Sequence, residues 1–356
     1  MSGAAGWAVR LLVNGVEPLG TPVLRFAVRA SRYACCDTAE IDLAVDRSAL
    51  GGSDVWFDGR TVARIDLQLQ VRRGDDAWTT LFHGLADEVE WQPEAYRATL
   101  LCRDYLSLLL DARVQEAWLN RTGAELVSAL VEGVGLRADI AFGDGASGMT
   151  GQFWQIEHKR FSALAQHRFQ TAFDLAFFVA REANADLYAD GQTIVGRPVF
   201  LATDVDAVVH DVAGAMLART CRRDLTMDNG VVVHVASWDS RQRSRTEIYY
   251  DGRDFSAVAP SGGGPVHHFR VPGRRLDDVK AIALGKYHRI AAHRGDIRLR
   301  IPGRVALRPR HFLASGSGVA GWPAALSVDE VISSGSVTGG FVQEVVLRDR
   351  SVGRAA

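Results

Sequence analysis

Apolar and polar positions alternate with a period of two along most of the chain, the pattern of strands with one buried face. Trp7, Val9, Leu11 and Val13 share one side up to Asn14-Gly15, a hairpin dipeptide. Residues 23–30 follow Pro22, and residues 38–45 place Ile41, Leu43 and Val45 together; residues 55–57 lead into a second turn dipeptide, Asp58-Gly59. Residues 62–71 alternate most cleanly, with Ile65, Leu67, Leu69 and Val71 facing one way and Arg64, Asp66, Gln68 and Gln70 the other. Residues 81–112, LFHGLADEVEWQPEAYRATLLCRDYLSLLLDA, then predict a strand bent at Gly84, a turn at Gln92-Pro93-Glu94-Ala95, a returning strand and a short helix capped by Asp104. About seven strands within roughly 110 residues predict a barrel or sandwich.

The period then lengthens to that of a helix. Thr122-Gly123-Ala124-Glu125 is a capping box, followed by Leu126, Ala129 and Leu130 on one face and stops at Gly133 and Gly135. Thr171 and Asp174 form a second box, ahead of Phe173, Ala176, Phe177 and Ala180, with an end near Asn184. Residues 187–195 read as a hairpin around Asp190-Gly191, and residues 143–151 as a glycine-rich loop. Strands return from about residue 208, interrupted by a helix over 276–294 with Val279, Ile282, Ala283 and Ile290 inward and Lys280, Lys286, Arg289 and Arg294 outward. The expected class is α+β, mainly β, with domains at 1–112 (β), 113–207 (α/β) and 208–356 (β, with the helix inserted).

Composition narrows the function. The 356 residues are 47% hydrophobic, ample for more than one core. Lys plus Arg number 41 against 42 Asp plus Glu, so no global charge draws a polyanion. The four cysteines form no CxxC pair and point to a reducing compartment at folding. The first residues, MSGAAGWAVRLLVNG, lack the pattern of an export signal, and no apolar run approaches the roughly 18 residues of a membrane helix, so neither export nor spanning is expected.

Each candidate chemistry in the chain has a plainer reading beside it. Residues 316–321 fit GxGxxG, but Trp322-Pro323 follow where a dinucleotide site needs a helix, which favours a loop. His267-His268 and the pair His288 and His293 are conceivable ligands, but His288 and His293 stand five residues apart on different helix faces, which favours solvent-facing residues over a metal site. Glu88 and Glu90, next to Asp87, share a strand face through the period of two alone, which favours a solvated or interface face over paired glycosidase carboxylates. Phe177, Phe178, Trp91 and Trp118 read as core rather than ligand platforms. No catalytic residue, cofactor or metal is expected. Lys280, Lys286, Arg289 and Arg294, with Arg298, Arg300 and Arg304 downstream, are the one candidate patch. As a helix face it is ordinarily solvated; the sharper reading is contact with an acidic neighbour or with DNA in a conduit.

Four stretches carry a family likeness: LFHGLADEVEW with ATLLCRDYLSLL; NRTGAELVSALVEGVGL; FSALAQHRFQTAFDLAFFVAREANADLYADG; and RGDIRLRIPGRVALRPRHFLASGSG with LSVDEVISSGSVTGGFVQEVVL. In this order they resemble the central baseplate hub proteins of phage tails, the late control protein D family, and relatives in contractile injection systems, including the first region of type VI secretion spikes. A departure is the strand before Gly339-Gly340-Phe341, where Leu326 and Ile332 stand in place of a tyrosine and a histidine. The resemblance implies two tube-like antiparallel β-barrels per chain and a homotrimer. Its pseudo-sixfold ring would join the tail tube, or a tube initiator, to a separate central spike, beside other baseplate proteins. It also implies transient contact with DNA in the lumen, no catalysis, and a place in the virion after synthesis in the host cytoplasm. Two other classes compete: a tail-tip peptidoglycan hydrolase, which needs carboxylates roughly 5–10 Å apart in a cleft, and a monomeric carbohydrate-binding β protein with rings exposed on one sheet.

Overall fold

The computed structural model describes residues 6–46, 55–57, 64–114, 121–142, 169–199, 202–211, 216–239, 243–261, 264–314 and 322–350. Contacts divide the chain into two compact units, each discontinuous in sequence. The first is Met1–Pro198 with Arg300–Pro309 and Glu330–Val345; the second is Val199–Leu299 with Arg310–Asp329 and Val346–Ala356. The division thus falls inside three late strands, β16 (Gly295–Pro302), β18 (Ala325–Ser336) and β19 (Gly340–Arg348).

In the first unit, β1 (Trp7–Val13), β2 (Val23–Ser31), β3 (Thr38–Ala44), β4 (Asp66–Arg73), β5 (Thr79–Gln92) and β6 (Arg97–Asp104) take the order β1-β4-β5-β6-β3-β2. Glu330–Ser336 of β18 adds to β2, and every one of these pairs is antiparallel. Alternation explains the core directly: Ile41, Leu43, Leu67, Leu69, Ala98 and Leu100 have no exposure. Each leucine or isoleucine so buried contributes about 1.5–3 kcal/mol relative to exposure.

Pairing departs from chain order in one instructive place. Asn14 and Gly15 do adopt left-handed conformations (φ 50° and 82°), but their turn closes only Val13 on Val16, and the partner of β1 is β4. Residues 55–57 form a turn instead of a strand; Val55 is buried, and Trp56 and Phe57 meet edge to face. Gly84 is demanded by close approach, because a Cβ there would lie 2.2 Å from the Arg103 carbonyl oxygen on β6. The sheet curls until Trp7 of β1 and Phe26 of β2 both reach Phe341 of β19, at ring separations of 4.8 and 5.7 Å. Its ends share one core through side chains, and among the described residues no backbone pair closes it as a barrel.

A second layer of the first unit holds α1 (Ser107–Asp111), α2 (Gly123–Gly133) and α3 (Ala172–Glu182). With them is a sheet of β7 (Arg137–Ile140), β8 (Ala185–Asp190) and β9 (Thr193–Pro198), ordered β7-β9-β8. Both capping boxes form: Glu125 N–H donates to Thr122 Oγ1 at 3.2 Å and Asp174 N–H to Thr171 Oγ1 at 3.1 Å, each with the return bond. Leu109, Val127, Val131, Leu175 and Ile194 are fully buried between these elements.

The second unit contains β10 (Val209–Asp211), β11 (Ala218–Arg223) and α4 (Leu225–Asp228). After them come β12 (Val232–Asp239), β13 (Ser244–Tyr250), β14 (Phe255–Ser256), β15 (Val266–Pro272), α5 (Leu276–Ala291) and β17 (Phe312–Ala314). Strands order as β14-β13-β12-β15, and α5 covers one face, with Val233, Val235 and Ile248 against Val279, Ala283 and Ala291. The expected inward stripe is right, and the α-helix stops at Ala291 before a 3-10 turn, Ala292–Arg294. β12–β15 and β10–β17 are parallel pairs, so this region is not wholly antiparallel. The α+β, mainly β class stands.

Candidate functional site

Register stacks the polar positions of the first unit's sheet into rows. Arg25 lies opposite Asp42, which lies opposite Thr99. Asp42 accepts from Arg25 Nε at 2.8 Å, Arg97 Nη2 at 2.6 Å and Thr99 Oγ1 at 2.7 Å. Burial opposes its ionisation, yet the Thr99 and Arg25 hydrogen bonds and the Arg25 and Arg97 charges outweigh that and hold its carboxyl below the ordinary carboxylate range. Arg25 also reaches Glu40 at 2.7 Å, and Arg29 reaches Glu330 at 2.5 Å. Further along, exposed Glu88 and Glu90 follow a bulge at Asp87, and Leu101, opposite Glu88, is 42% exposed.

The carboxylates singled out from the sequence are mostly engaged. Asp87 takes Arg103 in a two-point contact at 2.6 and 3.0 Å, Asp111 takes the same guanidinium at 3.3 Å, and Glu90 accepts from Gln92 at 2.7 Å. The hydrogen bond to Asp87, more than any other influence, raises the Arg103 pKa. A charged, hydrogen-bonding sheet face of this kind is suited to meeting another protein surface.

Sequence reading missed a polar junction of side chains from β4, β5, the residue after β6 and the β8–β9 turn. Asp66 accepts from the Tyr105 hydroxyl and lies 2.7 Å from His83 Nε2, and Gln192 donates to Tyr105 at 3.1 Å. Burial, then the Asp66 bond, pushes Tyr105 up to about 12. Asp66 stood on the polar side of a clean alternation, so only the later segment carrying Gln192 reveals its role. Asp104 does not cap α1, whose N-cap is Leu106 without a side-chain bond; its carboxylate accepts from Leu106 N–H in the turn ahead of the helix and from Asp37 N–H, both at 2.9 Å.

In the second unit, α5 carries the candidate cations. Lys280 Nζ stands 5.9 Å from the Phe255 ring centre and Lys286 Nζ 5.4 Å from that of Phe269; Arg289 is half-buried, and Arg294 donates to Asp349 at 3.1 Å. Buried Asp329 receives Arg350 at 2.9 and 3.0 Å and Arg348 at 3.2 Å. Arg348 also donates to His293 Nδ1; loss of solvent around the His293 ring, then the Arg348 charge, lowers the pKa of His293. His268 joins His234 rather than its neighbour His267, Nδ1 to Nδ1 at 2.9 Å, and His234 Nε2 lies 3.0 Å from Glu247.

Among the described residues no group of three or more His, Cys, Asp or Glu side chains is arranged to hold a metal ion, and no helix is long and apolar enough to cross a membrane. Phe177 stacks on Phe173 and Trp91 meets Phe57, both as packing rings. Residues 143–151, Trp118 and the glycine-rich 316–321 lie outside the described residues.

No family model and no curated protein matches the sequence. Solved structures do match in fold. A tail protein from Neisseria meningitidis MC58 superposes with a TM-score of 0.66 at 11% identity, over 98% of each chain. The 43 kDa tail protein of prophage MuSo2 from Shewanella oneidensis gives 0.62 at 10% identity, over 97% of this chain and 100% of that one. An E. coli type VI secretion system component, itself structurally similar to the bacteriophage T4 tail proteins gp27 and gp5, gives 0.60 at 11% identity, over 98% and 79%. The chain therefore has the fold of phage tail proteins and of their type VI secretion relatives, and the resemblance read from its sequence stands at the level of fold.

Proposed function

We propose that this protein is a structural hub of a phage tail or of a phage-like contractile injection system. Three copies form a pseudo-sixfold ring that joins the tail tube to the central spike. The observation that carries the reading is fold likeness over nearly the whole chain to phage tail proteins and to a type VI secretion component similar to gp27 and gp5. The polar rows on the first unit's sheet support it, since ring subunits meet through heterologous, hydrogen-bonding surfaces. In this reading the modules are 1–112, 113–207 and 208–356, and the protein acts by assembly, without catalysis or cofactor, in the virion baseplate beside other baseplate proteins. Lys280, Lys286, Arg289 and Arg294 form its contact with an acidic neighbour or with DNA in the lumen.

Negative-stain class averages of the purified protein test the reading. Threefold rings with six lobes around a lumen support it, and single globular particles at every concentration oppose it. Lys286→Glu with Arg289→Glu is expected to fold normally and to assemble poorly with its partners; normal assembly would remove the patch from the account. Clearing of a peptidoglycan suspension by the protein would replace the hub with a hydrolase.

A further inference from the structure

The first unit contains a cavity of about 680 Å³ that the structural reading leaves unused. Its walls are the end of β4's approach, the bulged part of β5, α1 and the end of α2: Ile65, Leu85, Val89, Leu108 and Val134 supply aliphatic surface. The polar atoms among them are few and distinct. Ser107 is 1% exposed, lines the cavity, and its hydroxyl has no hydrogen-bond partner. A buried hydroxyl in that state carries a desolvation cost that a bound polar atom would relieve. Asp87 and Asp111 also line the cavity, but Arg103 already holds both. Exposed Arg64 stands at the wall, and among the described residues it makes no hydrogen bond or ion pair.

These features select a ligand by exclusion. Among the described residues no aromatic ring lines the cavity, and its described walls offer a base, a nicotinamide or a sugar ring no stacking surface. Arg103 neutralises Asp87 and Asp111, which leaves the single guanidinium of Arg64 for a ligand, enough for one negative group and too little for a polyphosphate. What remains is a hydrocarbon body with a single negative group: the body against the aliphatic wall, the charge on Arg64, and a polar atom within reach of the Ser107 hydroxyl.

We propose that this cavity binds an aliphatic carboxylate, supplied either by the end of a peptide chain with a leucine-like residue or by a free fatty acid. The proposal does not rest on the hub reading, because a single isolated chain contains the whole site.

Calorimetric titration of the full-length protein with acetyl-leucyl-leucine, its C-terminal amide and sodium octanoate provides the test. Saturable binding of the free-acid peptide is expected, at least tenfold weaker for the amide and for Arg64→Gln, and several-fold weaker for Ser107→Ala. Arg64 is exposed, so its variant keeps the fold, and a thermal melt verifies this for both variants. Binding of the peptide but not octanoate assigns the site to a chain end; binding of octanoate alone assigns it to a lipid acid. The absence of saturable heat with both acids would overturn the proposal, as would equal affinity for acid and amide, or affinity unchanged in both variants.

Discussion

The sheet of the first unit and the second unit as a whole carry their ion pairs at different depths. In the first, the ion pairs run in rows along the polar face, where arginines more than two-fifths exposed by side chain, Arg25, Arg29 and Arg97, cover carboxylates such as Asp42, which is 2% exposed. In the second, charge goes inside: Asp329 is 1% exposed beneath Arg350, itself 9% exposed, and His234 is 7% exposed between His268 and Glu247. An aliphatic interior tolerates loss of any one surface pair, because such pairs are worth little. An interior built on paired charge depends on every partner being present.

The comparison is broken most severely at Asp329. Asp329→Ala leaves two arginines without their carboxylate and is expected to destabilise the second unit by about 3–5 kcal/mol, read by chemical denaturation. In the first unit the equivalent damage requires an apolar truncation: Leu69→Ala is expected to cost about 2–5 kcal/mol, whereas Arg29→Ala on the same sheet should cost no more than about 1 kcal/mol. Removing the cap in Thr122→Ala should cost about 1 kcal/mol, visible as a small drop in melting temperature. The smallest effect is a pH dependence at His293. Its folded pKa is below its unfolded one, so the unfolded chain takes up the proton first; stability is full above the unfolded value of about 6.5 and declines as pH falls from there toward the folded value. His293→Gln should flatten that decline in melts taken across the same pH range.

Local rules made much of this legible. Alternation in residues 62–71 placed Leu67, Leu69 and Val71 inside, and two capping boxes placed the starts of α2 and α3, whereas Asp104, read as the cap of α1, holds the turn one residue short of it. Pairing was less legible. Asn14-Gly15 makes its turn, but nothing nearby announces that β1 will join β4, because strand partnership is settled by the whole core. The polar sites were the least legible: Tyr105, bound to Asp66, meets Gln192 across 87 residues, and Asp329 meets Arg350 where the sequence shows only an ordinary acid and an ordinary base. The cavity hydroxyl of Ser107 sits in a leucine-rich helix and gives no local sign of its isolation.

The central claim is assembly into a threefold ring, and the most direct test is native mass by light scattering across a concentration series. The account predicts a species of about 116 kDa, three times the 38.8 kDa subunit, growing in with concentration. A single 38.8 kDa species throughout would contradict it.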